Sequence, residues 1–167
     1  DDINSKFVQL NLLSADLYTA SWAAIRLGRY AQAETFARRL LNMAPDPTRG
    51  AADSQSDKSE VRSMLARAIA GQARLDEAST TLQPALDWYR KQLATGAYET
   101  GFRADFAYAL YVDAITQHPD SAGRKQRDAD LAQAANLIAG ESAEAQKMAD
   151  VKYLAGLIGA ARTTPQG

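Results

Sequence analysis

An all-α fold is what this sequence predicts, on three observations. Ala, Leu, Arg, Gln and Asp dominate the text, while 167 residues hold only five Pro and ten Gly, a helix-favouring vocabulary. Apolar residues recur at three- and four-residue steps through almost the whole chain, the spacing of one helix face. The stretch LGRYAQAETFARRLLNMAPDP, from Leu27 to Pro47, reads as a helix end, a tight turn and a second helix. Hydrophobic residues make up 46% of the chain, which argues against disorder, and the length allows one domain with a sizeable core.

The first helix carries one stripe of Phe7, Leu10, Leu13, Leu17, Ala20, Ala24 and Leu27, with Asn4 or Ser5 as its cap. Gly28 suits the positive φ of a helix C-cap, and Tyr30 supplies an apolar plug at the turn. The second helix is expected from Tyr30 to Met43, with Ala33, Phe36, Ala37, Leu40 and Leu41 inward. Ala33 and Ala37 stand one turn apart and let a neighbouring helix come close; Pro45 and Pro47 stop the run. Residues 44–58 are rich in Pro, Gly and small polar residues and read as a surface loop. Asp57 followed by Glu60 resembles a capping box, so a third helix is expected near Ser59, running through Val61, Leu65, Ile69 and Ala70 to Gly71.

A second turn, ARLDEASTTL, aligns with GRYAQAETFA, setting Leu75 on Tyr30, Ala78 on Ala33 and Leu82 on Ala37. Upstream, Leu65-Ala66 falls where Ala20-Ser21 stands, so two copies lie 45 residues apart. Pro84 is expected to kink or restart the following helix near Gln83, after which ALDWYRKQLA buries Leu86 or Trp88 and ends at Thr95-Gly96. Phe102 to Thr116 is apolar almost all round, the mark of a central helix. After the turn HPDSAG, a partner helix runs from about Arg124 to Ala139 with Leu131, Ala134, Ala135 and Ile138 inward. Gly140 ends it, and Ser142 caps a last helix through Met148, Val151, Leu154 and Ile158 that covers the end of the stack.

These turns and spaced alanines resemble the tetratricopeptide repeat (TPR), most closely over residues 17–47 and 59–86 and more loosely over about 14–140. The departures are plain: the family repeats at about 34 residues, its Leu-Gly pair is degenerate here, and the second copy lacks the terminal Pro. The Ala- and Arg-rich style looks like TPR regions of bacterial multidomain proteins, where such regions are often attached to signalling enzymes. The resemblance implies an α-solenoid of about three antiparallel helix pairs (about 5–43, 59–94 and 102–139) with a closing helix at about 142–162. It also implies a concave groove, lined by first helices, that binds a peptide or protein segment. On this chain the groove would carry Tyr18, Trp22, Ile25, Arg26 and Arg29 from the first copy and Ser63, Arg67 and Arg74 from the second. Tyr18, Trp22 and Ile25 form a second apolar stripe, distinct from the core stripe; Trp22 is open between groove platform and core residue beneath Phe7 and Val8. The arginines suit an acidic peptide or a C-terminal carboxylate, or stand solvated.

Other function classes find little support. A net charge of −1 with both signs spread along the chain leaves no basic footprint for a nucleic-acid backbone. No apolar run approaches the roughly 20 residues that cross a bilayer. Without cysteine there is no disulfide, thiolate zinc site or cysteine nucleophile, and no compartment is indicated. His118, the one histidine, sits in a turn; Asp105 and Asp113 share a face that reads as solvated. No HExxH, GxSxG or phosphate loop occurs, so no catalytic role and no cofactor are expected. The opening DDINSK, without Met, reads as part of something longer. Sensing of a small ligand, regulation of a linked domain in a larger bacterial signalling protein, or self-association through Phe102–Ile115 or the last helix is the alternative to peptide binding.

Overall fold

The computed structural model describes residues 2–43, 50–96 and 101–164, with side chains from Val8 onward and, after residue 50, from Asp53. The expected stops at Pro45 and Pro47, and the side chains of Asn4, Ser5 and Phe7, lie outside the described residues. Among those residues the regular structure is entirely helical: α1 (Asp2–Arg26), α2 (Tyr30–Leu41), α3 (Ala51–Ala70), α4 (Leu75–Thr95), α5 (Phe102–Thr116), α6 (Ser121–Ala139), a 3-10 turn (Ala145–Lys147) and α7 (Ala149–Thr163). Two compact units emerge, Asp1–Thr81 and Leu82–Gly167.

In the first unit α1 packs on α2, α2 packs on α3, and α3 also touches α1. The turn out of α1 is built on Gly28 at φ 68°. Its N–H reaches the Ile25 carbonyl at 3.1 Å and the Arg29 N–H reaches that of Ala24 at 2.8 Å. The turn out of α3 repeats this bond for bond: Ala73 sits at φ 61°. Its N–H bonds the Ala70 carbonyl at 2.9 Å and the Arg74 N–H bonds that of Ile69 at 3.4 Å. The 45-residue offset read from side chains is therefore also an offset in backbone geometry. Small residues fill the centre: Ala33, Ala37, Ala68 and Ala78 have no exposed surface and lie in one cluster with Met64, Leu65 and Ile69. Tyr30 plugs the turn as expected, and its ring lies directly on Gly71, where a Cβ would come 2.4 Å from ring carbons.

The helices differ from expectation in several places. α3 begins at Ala51, so half of the expected loop is helix, and Asp57 and Glu60 lie inside it rather than at a cap. Gly50 is extended and Asp53 stands in the first turn, a favourable start. Ala51, Ala52, Gln55 and Lys58 then propagate a helix without any apolar period to reveal it. The second difference is α4, which runs unbroken from Leu75 to Thr95 with Pro84 inside it. Pro84 is exposed, while Leu82, Ala85, Leu86 and Tyr89 on the remaining faces are buried. The proline forfeits the bond to the Thr80 carbonyl, and burial of its neighbours outweighs that loss.

In the second unit α5 is the central helix, with eleven of its fifteen residues buried. The stripe Phe102–Ile115, weighed as a self-association face, is therefore mostly covered by the unit itself. α6 packs along α5, and α7 packs on α6 and touches α5. Leu86 is buried as expected and Trp88 only half so, whereas the larger buried aromatic is Tyr89, stacked on Phe106 at 5.4 Å and 13°. α6 starts at Ser121, ahead of Arg124, because the Asp120 carboxylate accepts the Gly123 N–H at 2.7 Å. The closing segment is split: Ser142 Oγ accepts the Ala145 N–H at 3.1 Å and so caps the 3-10 turn, and α7 begins only at Ala149. Val151, Leu154 and Ile158 then face inward as expected, while Met148 is exposed. Over the first half of α1, Val8, Leu10 and Leu12 are more than half exposed, at 57%, 51% and 62%.

Two substitutions test this construction. Ala73→Gly relieves a left-handed alanine and is expected to raise stability by about 0.5–1 kcal/mol in denaturant unfolding. Gly71→Ala drives a methyl into the Tyr30 ring and is expected to cost about 1–3 kcal/mol, with most of that loss absent in a Tyr30→Ala background.

Candidate functional site

Placing the eight groove residues divides them into four pairs. Ile25 and Ser63 are buried, at 8% and 1% exposure, so they support the surface from beneath and are corrected to core positions. Ser63 Oγ donates to the Ser59 carbonyl one turn back at 3.0 Å. Tyr18 and Trp22 are half-buried against the core cluster and meet edge to face, with centroids 6.5 Å apart at 70°. Trp22 packs in part on this cluster and not beneath Val8, which stands fourteen residues, about 21 Å, back along the same helix. Arg26 is exposed in the last turn of α1, where a cation complements the helix dipole, and Arg29 is exposed at the N-cap of α2.

Arg67 and Arg74 are held by the protein itself. Arg67 lies over the Tyr30 ring, 4.8 Å from its centroid, and donates to the Tyr30 hydroxyl at 2.9 Å. That position braces the plug at the turn. Arg74 pairs with Glu34 at 2.8 Å and with Glu77 at 2.6 Å. Arg38 reaches the same two carboxylates, at 2.7 Å and 2.9 Å, and Gln72 Nε2 donates to Glu34 at 2.7 Å. Burial alone would raise the Glu34 pKa, but the bonds from Gln72, Arg38 and Arg74 outweigh it and hold the carboxyl below its ordinary value. The Arg74 bond does the same for Glu77, and the two acids hold the Arg74 guanidinium above its own. Tyr18 donates its hydroxyl to Glu60 on α3, tying α1 to α3. Burial pushes the Glu60 pKa up, with the nearby Asp57 charge adding to it, and the Tyr18 bond only partly opposes this.

The sequence reading found the arginines and missed the acids that hold them. One signal was visible: Glu34 and Arg38 are four residues apart on one helix, a favourable pair spacing. A second was Arg74 with Glu77, three residues apart, and the remaining partners lie 37 to 42 residues away. Among the described residues, no group of three or more His, Cys, Asp or Glu could hold a metal ion. No described helix is long and apolar enough to cross a membrane.

The second unit holds a polar feature of another kind. Asp113 of α5 and Asp130 of α6 are buried, at 7% and 3% exposure, and the Asp113 charge bears on Asp130. The solvated reading of Asp113 is therefore corrected: α5 is enclosed all round, and its one mid-helix acid is enclosed with it. Gln117 Nε2 donates to Asp113 Oδ1 at 3.2 Å, and Gln126 Nε2 donates to Asp130 Oδ1 at 2.9 Å. Asp130 Oδ2 is buried without a hydrogen-bond partner. Two buried carboxyls in each other's field disfavour a double negative charge, so the protonated form of Asp130 is favoured. Burial and the Asp113 charge push the Asp130 pKa up to about 7, against the pull of Gln126 and Arg90. Burial also raises Asp113, against the pull of Arg90 and Gln117.

No family model, curated protein or solved structure matches this chain.

The acid pair sets a pH dependence. A carboxyl whose folded pKa lies above its unfolded value contributes stability that is complete below the unfolded pKa, near 3.8, and lost as pH rises through about 7. The unfolding midpoint should fall between pH 5 and pH 8, and Asp130→Asn, which cannot titrate, should flatten that slope. Parallel slopes in the two proteins, followed by urea unfolding, would refute the raised Asp130 pKa.

Proposed function

We propose that this chain is a helical-repeat scaffold of the tetratricopeptide type that binds a peptide or protein segment along the face formed by α1 and α3. The observation that carries the reading is the edge-to-face pair of Tyr18 and Trp22, half-open beside Glu60 and continued by exposed Arg26 and Arg29. Aromatic and arginine side chains on a firmly supported surface are the usual composition of an interaction hot spot. Support comes from beneath, where Ile25 and Ser63 are packed, and from the side, where Tyr18 is tied to α3. A bound segment would lay an apolar side chain against Trp22 and place a carboxylate near Arg26 and Arg29. Arg67 and Arg74 would act at one remove, by holding the turns that position the helices. The recurrence of one turn geometry at Gly28 and Ala73 supports the repeat character of the scaffold. The role is binding without catalysis.

The test is selection from a library of peptides with free C-terminal carboxylates, followed by calorimetric titration of the selected peptide. Arg26→Glu with Arg29→Glu should weaken binding at least about tenfold, with the helical circular dichroism and melting curve unchanged. Undiminished binding by that folded double variant would sink the reading.

A further inference from the structure

In the first unit, two packed helices leave a trough that a third one fills. α3 packs on α2 and touches α1. The opening turns of α4 then complete the core: Ala78 is fully buried in the cluster that holds Ala33, Ala37 and Ile69, and Glu77 pairs with Arg38 of α2 at 2.9 Å. Small residues make the trough, and a carboxylate on the incoming helix meets a cation on its wall.

The second unit goes through the same steps and leaves the trough open. α7 packs on α6 and touches α5, and between α6 and α7 runs an open trough of about 300 Å³. Its walls are Ala135, Ile138 and Ala139 from α6, and Ala155, Ile158 and Gly159 from α7. A Cβ built on Gly159 would meet nothing within 4 Å, so a neighbouring backbone has room to approach. Lys152 and Arg162 are the only charged residues lining it, and both are exposed. With Ala155 and Gly159 they fall on one face of α7, ten residues or about 15 Å apart along the axis.

We infer that the α6–α7 trough is a docking site for an amphipathic helix of a partner protein, one with a small apolar stripe flanked by two carboxylates. The occupant's chemistry follows from what it must meet: Ala- and Gly-sized walls that admit a helix backbone, and two cations with no acid among the lining residues. A helix satisfies its own backbone bonds and can lie in an open trough, whereas an acyl chain there would stay largely in water. Neither the α1–α3 face nor its arginines take part, so this site stands or falls independently of the peptide-binding reading.

The probe is a fluorescent synthetic helix of about 18 residues, long enough to hold helical structure alone. It carries Ala and Leu on one face and two Glu residues about ten positions apart. Saturable binding to the full chain is expected by anisotropy. Gly159→Leu fills the trough and should weaken binding at least about tenfold, while Gly156→Leu, which adds the same side chain to α7 outside the trough, should leave it unchanged. Lys152→Glu with Arg162→Glu should lose the acidic probe and gain a version carrying Lys in place of Glu. The inference is overturned if the probe shows no saturable binding, or if Gly159→Leu binds it as the wild type does. It is equally overturned if sedimentation reveals a dimer that Gly159→Leu abolishes and the probe does not disrupt, which would assign the trough to a second copy. Decanoate displacing the probe at stoichiometric amounts would assign it to a lipid anion instead.

Discussion

The closeness that four alanines permit governs the first unit. Ala33, Ala37, Ala68 and Ala78 have no exposed surface, and helix spacing is set by the side chains at the contact. With methyl groups there, α2, α3 and the start of α4 come near enough for the Tyr30 ring to rest on Gly71 and for Glu34 to accept from both Gln72 and Arg74. A longer side chain at any of the four would push these elements apart and stretch the ionic cluster beyond hydrogen-bond reach. The polar surface is in this sense a product of the apolar interior beneath it.

That dependence explains which parts of the molecule could be read from residue order. Helical class, the turn at Gly28, the inward alanines and the enclosed character of α5 all follow from periodicity or from one residue's conformational preference, which are local properties. The start of α3 at Ala51 was hidden because its first ten residues carry no apolar period; they are helical by propensity and by continuity with Val61 onward. Pro84 misled for the opposite reason. Its local cost is real, but Leu82, Ala85, Leu86 and Tyr89 around it are all buried, and that interest outweighs one missing bond.

The candidate surface was legible in its residue types and illegible in its pairings. Tyr18 and Trp22 announced themselves as a second stripe on α1, and that stripe is half-open. Nothing in the local text showed that Arg67 would be spent on Tyr30 or Arg74 on Glu34, because those partners arrive from another helix; of Arg74's two acids only Glu77, three residues on, was near at hand. The acid pair in the second unit had one cue, an aspartate amid the apolar run of α5. Only the placement of α6 turns that cue into two buried carboxyls, one of them pushed up by the charge of the other.

The exposed leucines of α1 carry a consequence of their own. From Leu17 onward the helix has a core to lean on, whereas Val8, Leu10 and Leu12 project into water and give that stretch no tertiary cover. A short helical segment without cover is marginal in water, and here it persists as an extension of the anchored turns that follow. Those are the conditions under which a backbone opens locally while the rest of the fold stays intact. A protease offered the native protein would therefore find its first foothold ahead of Leu17, and the fragment it left behind would keep the whole alanine-lined interior.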